Sequence, residues 1–155
     1  MPRMSVHRPF ANTDACPCGR ANARGHVLAY AQCCGRYLDS EPALAAPDAE
    51  SLMRSRYSAF VLERPDYLLA TWHASTRPQR LELESGIRWL GLEVRQCRTL
   101  DATHATVEFV ARFRSAGRAV RQHEHSRFES TGGLWFYVDG DQNGTGANPV
   151  EREKL

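Results

Sequence analysis

Four of the five cysteines in this 155-residue chain fall in two tight pairs, Cys16-Pro17-Cys18 and Cys33-Cys34, with 14 residues between the pairs. The surrounding stretch, 1–47, is rich in Ala, Gly, Pro and Arg and holds few large apolar side chains, so a hydrophobic core cannot fix its shape. The opening MPRMSVHRPF is charged and has no apolar run, so no secretory signal is expected and the reducing cytoplasm is the expected compartment. There, two close thiol pairs favour a metal ion over disulfides. Zinc–sulfur bonds of about 2.3 Å set tetrahedral sulfurs about 3.8 Å apart, close to the spacing of consecutive Cα atoms, so adjacent Cys33 and Cys34 can share one ion where the backbone turns. Gly19 and Gly35, each beside a pair, give the chain freedom for such turns. The expectation is one structural Zn²⁺ on Cys16, Cys18, Cys33 and Cys34. Arg20, Arg24 and Arg36 would offset the site charge, and no coordination position would be left open for catalysis. His26 is the alternative fourth ligand if one cysteine is spare.

The rest of the chain has a different texture. A hydrophobic fraction of 42% excludes wholesale disorder, and a net charge of +2 is too small to argue for nucleic acid. No apolar run reaches the roughly 18 residues that a membrane-spanning helix needs. Asp48 suits a helix N-cap, and Met53, Tyr57, Phe60 and Val61 recur at helical spacing, predicting a helix that ends near Arg64. Pro65 opens a second helix over 66–73, and 79–85 reads as a short third. After Gly86 the period drops to two, predicting strands over 87–100, 103–115, 118–129 and 133–139. Helices followed by an antiparallel meander make an α+β domain over 48–140, after the cysteine segment 1–47 and before a loose tail, 141–155.

Taking Ala116-Gly117 as a two-residue turn sets Phe113 opposite Val120, Ala111 opposite Gln122, Phe109 opposite Glu124 and Val107 opposite Ser126. Taking Asp101-Ala102 as the turn before it sets Val94 opposite Phe109, Leu92 opposite Ala111 and Arg95 opposite Glu108; the last hairpin joins Trp135 and Tyr137 to Phe128. The helix-facing side is then apolar from Leu90 and Leu92 to Tyr137, but Gln122, Glu124 and Ser126 interrupt it. A carboxylate there costs several kcal/mol unless it is paired, protonated or hydrated. One reading is a pocket centred on Glu124; the other is a structural ion pair from Glu124 to Arg54 or Arg56. The opposite face carries Glu108, Arg112 and Arg114 beside Arg121, His123, His125 and Arg127, read as a solvated basic stripe. No aromatic residue interleaves with it on those strands, so nucleic acid is not an expected partner. Cys97 reads as an ordinary residue of that outer face. Leu134, Phe136 and Val138 leave the final strand apolar outward, a candidate homodimer surface.

At these residues the chain resembles a known family. CPCG (16–19) followed by YAQCCG (30–35) resembles the SEC-C motif, the zinc module named for the tail of the SecA translocation ATPase. The stretch LMRSRYSAFVLERPDYLLATWHASTRP (52–78), then WLGLEV, HEHSRF and LWFYVDG, resembles the YchJ family. The resemblance implies a SEC-C zinc module followed by a domain similar to the nuclear transport factor 2 superfamily, in which helices pack on a curved sheet to form a cone. Two departures stand out. The loop between the cysteine pairs is longer than usual, and Arg20-Ala21-Asn22-Ala23-Arg24 replaces the common Gly-Ser-Gly-Lys-Lys stretch. Some family members carry a second SEC-C motif at the C-terminus, and none is seen here.

Three functions compete. The first, and the expected one, is a non-enzymatic adaptor or binding protein that meets a protein partner through its zinc segment. The second is a small-molecule-binding cone. The third is a lyase- or isomerase-type enzyme with Glu124 as general base. The candidate pocket for the last two is Arg54, Arg56, Tyr57, Trp72, His73, Gln122, Glu124 and Ser126. An enzyme needs two converging titratable groups, and Glu124 is the one strong candidate.

Overall fold

The molecule is built around its one long helix. The computed structural model describes residues 10–142, so most of the expected tail lies outside the described residues. Helix α1 (Gly35–Leu38) is a single turn, and α2 (Ala49–Val61) is the long one. Asp48 is extended, and its carboxylate accepts a hydrogen bond from the Ser51 amide at 2.7 Å, which starts α2 where the sequence places it. The helix ends at Val61, short of Arg64, because Glu63 reverses the chain with φ 55°. Helix α3 (Pro65–Ala70) follows with proline in its first turn and stops before His73. Residues 79–85 form no helix, contrary to expectation. Leu81 and Leu83 are two apart, the spacing of extended chain, and both pack against Ala59 and Leu68.

Four strands, β1 (Arg88–Thr99), β2 (His104–Ser115), β3 (Arg118–Thr131) and β4 (Leu134–Gln142), form an antiparallel sheet in sequence order. Ala116 (φ 50°) and Gly117 (φ 77°) both take the left-handed conformation of a tight hairpin turn. The β2–β3 register agrees with that turn: Phe113 opposes Val120, Ala111 Gln122, Phe109 Glu124 and Val107 Ser126, all as expected. Phe128 opposes Tyr137, and Trp135 lies two residues further along, opposite Ser130.

Strand β1 corrects three expectations through two bulges. Each inserts an unpaired residue and inverts the facing of the residues beyond it. At the first bulge Trp89 turns inward against Tyr57 and Phe113, with ring centroids 5.4 and 5.1 Å away, and Leu90 is exposed rather than part of the inner face. Burying the larger ring removes more apolar surface from water. At the second bulge Arg95 is skipped, so Gln96 opposes Glu108 and Cys97 opposes Val107 on the helix side. Cys97 is therefore not an outer-face residue. Although exposed, it has its thiol raised to about 11 by partial burial and by the Glu50 carboxylate.

Leu52, Met53 and Tyr57 of α2 pack on Val107, Phe109 and Phe128 of the sheet, and the same buried cluster continues into Cys16, Cys18, Tyr30, Cys33 and Cys34. At the far edge, residues 71–73 run parallel to β4. The His73 amide donates to Tyr137 O at 2.7 Å, and the Tyr137 amide donates to Thr71 O at 2.9 Å. Among the described residues no helix is long and apolar enough to cross a membrane.

Candidate metal centre and the buried polar cavity

A short ladder of backbone hydrogen bonds folds the cysteine segment. The Cys16 amide donates to Leu28 O, the Leu28 amide to Arg20 O and the Asn22 amide to His26 O, at 2.8–2.9 Å, so 15–29 closes as a small hairpin. Gly19, with φ 72°, makes the turn after the first pair and donates its amide to Cys16 O. A 3₁₀ turn at Tyr30–Gln32 then brings the second pair round. Gly35 serves differently from the expectation: it does not need a special φ, but a Cβ there would sit 2.7 Å from Tyr30 O. Tyr30 in turn donates its hydroxyl to Asp39 at 2.6 Å, and Arg64 grips the same carboxylate at 2.7 and 3.0 Å.

All four sulfurs are buried, and each lies within 4.8 Å of the others; Cys18 and Cys33 are 3.6 Å apart. Tetrahedral zinc needs about 3.8 Å between sulfurs, so a donor set this close suits such an ion. The neighbouring thiols Cys18, Cys33 and Cys34 hydrogen-bond to Cys16 and drive it strongly toward thiolate. Hydrogen bonding with the same group, Cys16 foremost, and burial hold Cys34 in the thiol form. Four such groups can all ionise only around a cation. Four cysteines close together thus form a site that could hold a metal ion. His26 is exposed and is not among the grouped donors. Arg36 donates to Cys33 O at 3.1 Å, as an offsetting charge should, whereas Arg20 is engaged by Glu50 and Ser51.

The second polar site lies between α2 and the sheet. A cavity of about 70 Å³ is lined by Arg56, Tyr57, Trp72, Gln122, Glu124 and Ser126, among others. Glu124 is 5% exposed and accepts hydrogen bonds from the Tyr137 hydroxyl at 2.9 Å and Gln122 Nε2 at 3.4 Å. Burial holds its carboxyl above the ordinary range, against the pull of Tyr137 and Arg56. Gly140 faces that carboxylate so closely that any Cβ there would collide with it. Arg56 makes no ion pair with Glu124. Its guanidinium donates to Leu68 O and Thr71 Oγ1, both at 2.7 Å, and lies over the rings of Trp72 and Tyr137 at 5.2 and 4.6 Å.

Two of the expected pocket residues lie elsewhere. Arg54 donates to Cys18 O at 3.1 Å, beside the sulfur cluster. His73 meets Ser75 and the ring of Phe136, and its Nε2 is 3.8 Å from Glu129. Tyr137, placed among the apolar residues by sequence reasoning, is the partner that anchors Glu124; its hydroxyl was the available signal, since a buried tyrosine needs a hydrogen-bond acceptor.

Residues 48–140 match the family described as YchJ, middle NTF2-like domain. A UPF0225 protein of Polaromonas sp. is 68% identical over 127 residues, 81% of this chain and 91% of that protein. One from Bordetella parapertussis is 55% identical over 137 residues, 88% of this chain and 98% of that protein. Two solved SEC-C motif containing proteins share the fold at 30% identity. The protein of Rhodopseudomonas palustris gives a TM-score of 0.66 and covers 83% of this chain and 98% of its own. The protein of Psychrobacter arcticus gives 0.68, with 88% and 86%.

Proposed function

The chain belongs to the YchJ family, and on that premise we propose that it is a zinc-carrying binding protein rather than a catalyst. Cys16, Cys18, Cys33 and Cys34 hold one structural Zn²⁺, and the segment so fixed offers its exposed loop, around Arg24 and Val27, to a protein partner. The observation that carries this reading is the convergence of four buried sulfurs on one point. Two solved relatives described as SEC-C motif containing proteins support it. The ion's chemistry is mechanical: it neutralises thiolates and ties residues 16 and 34 to the underside of α2, where Cys16 Sγ lies 3.7 Å from Ser58 Oγ. A reducing cytoplasm is the setting in which such free thiols persist.

Volume weighs against a catalytic cone. A cavity of about 70 Å³ admits a few waters, whereas ligand pockets run from about 300 Å³. Metal analysis of the purified protein tests the proposal and should find one zinc per chain, lost in Cys16→Ser and Cys34→Ser. Affinity capture with and without a chelator should show a partner released on chelation. Absence of zinc, or its full retention in both variants, overturns the metal assignment; a partner indifferent to chelation overturns the adaptor role.

A further inference from the structure

We infer that Glu108, His123 and His125 form a second metal site, on the outer face of the sheet, suited to a divalent ion that favours imidazole and carboxylate ligands. The β2–β3 register sets Glu108 directly opposite His125, and His123 lies two residues back on the same face. His123 Nε2 is 2.7 Å from Glu108 Oε1, His125 Nε2 is 3.6 Å from the same oxygen, and one donor atom from each of the three groups together lies within 4.8 Å. Metal bonds of about 2.1 Å place neighbouring donors about 3.0 Å apart in octahedral and about 3.4 Å apart in tetrahedral geometry. The observed spacings bracket these values, so small side-chain rotations would seat an ion. The ligands stand on adjacent central strands, and Val110 beside them is fully buried, so the backbone beneath the site is rigid.

The face is basic, and part of that charge is answered by neighbouring carboxylates. Asp139 and Asp141 neutralise Arg127, and Arg95 and Arg112 both lie within 4 Å of Glu93. The His125 side chain is 45% exposed, so the remaining coordination positions would face water, unlike those of the closed sulfur cluster. Donor chemistry separates the two sites: thiolates retain soft ions, while two imidazoles and a carboxylate suit Ni²⁺, Cu²⁺ or Zn²⁺.

The test titrates Ni²⁺ into the purified full chain by calorimetry while NMR follows the histidine ring signals and absorbance follows nickel–thiolate charge transfer. The expected result is one Ni²⁺ bound with broadening of the His123 and His125 rings and without the thiolate band. His123→Ala and His125→Ala should each weaken binding at least tenfold, as should Glu108→Gln, whereas His104→Ala should leave it unchanged. His125→Gln provides a conservative second variant at an exposed position. The inference is overturned if Ni²⁺ appears only with the thiolate band, if the three ligand variants bind as the parent does, or if no Ni²⁺ binds. The thiolate band also separates this outcome from failure of the zinc assignment, because only an empty sulfur cluster would take up nickel.

Discussion

The sulfur cluster and the Glu124 cavity are both buried and both polar, yet they differ in what completes them. In the cavity every charged group is answered by the protein itself: Glu124 by Tyr137 and Gln122, Arg56 by Leu68 O, Thr71 and two aromatic faces. In the cluster four groups of one kind face one another, and their nearest other partner is the Ser58 hydroxyl. A set of mutually repelling donors is complete only with a cation, whereas a set of complementary groups is complete as it stands. Burial of polar atoms is therefore a poor guide to a ligand site by itself; the number of partners already present is the better one.

The largest effect that would sharpen this contrast is metal removal. Chelation should lower unfolding stability by more than about 4 kcal/mol, the linkage expected for an ion held a thousandfold above its dissociation constant. The loss should reach the middle and last turns of α2, because Arg54 and Ser58 of that helix touch the cysteine segment. Hydrogen exchange would map it, and unchanged protection there would break the comparison. Next comes Arg56→Met, which strips the donors from Leu68 O and Thr71 Oγ1. It should cost about 3 kcal/mol in urea denaturation while zinc content stays constant.

The smallest effect is expected at Glu124. Its folded carboxyl titrates above the ordinary 4.5, so the folded state favours the protonated form. That contribution to stability is complete below the unfolded pKa and is lost as pH rises through the folded value. Arg56 from α2 and Tyr137 from β4 face the group and oppose the shift without reversing it. Glu124→Gln should leave acid stability nearly unchanged and flatten the decline on the alkaline side, as read by thermal melting across pH. A decline of undiminished slope would show that another group titrates there.

Much of this architecture was legible in the residues. The turn at Ala116-Gly117 fixes a register, and the register alone puts Gln122, Glu124 and Ser126 indoors. What escaped were the bulges of β1, because one inserted residue leaves no mark on an alternating pattern except Gly91. The separation of Arg54 from Arg56 was readable: two residues advance a helix by about 200°, so one side chain reaches the cysteines while the other reaches the cavity. Over 79–85, where a helix was expected, the two-residue spacing of Leu81 and Leu83 already argued for extended chain.

The pairing of residues 71–73 with β4 bears on how copies of the chain behave together. An unguarded outer strand invites a neighbour to zip on and the process to repeat into filaments. Here one border of the sheet is occupied by the chain's own loop, and the other is kinked twice and studded with the exposed cations Arg88, Arg95 and Arg98. An incoming strand would meet the chain's own residues 71–73 near Tyr137 at one margin, and bulges and like charge at the other.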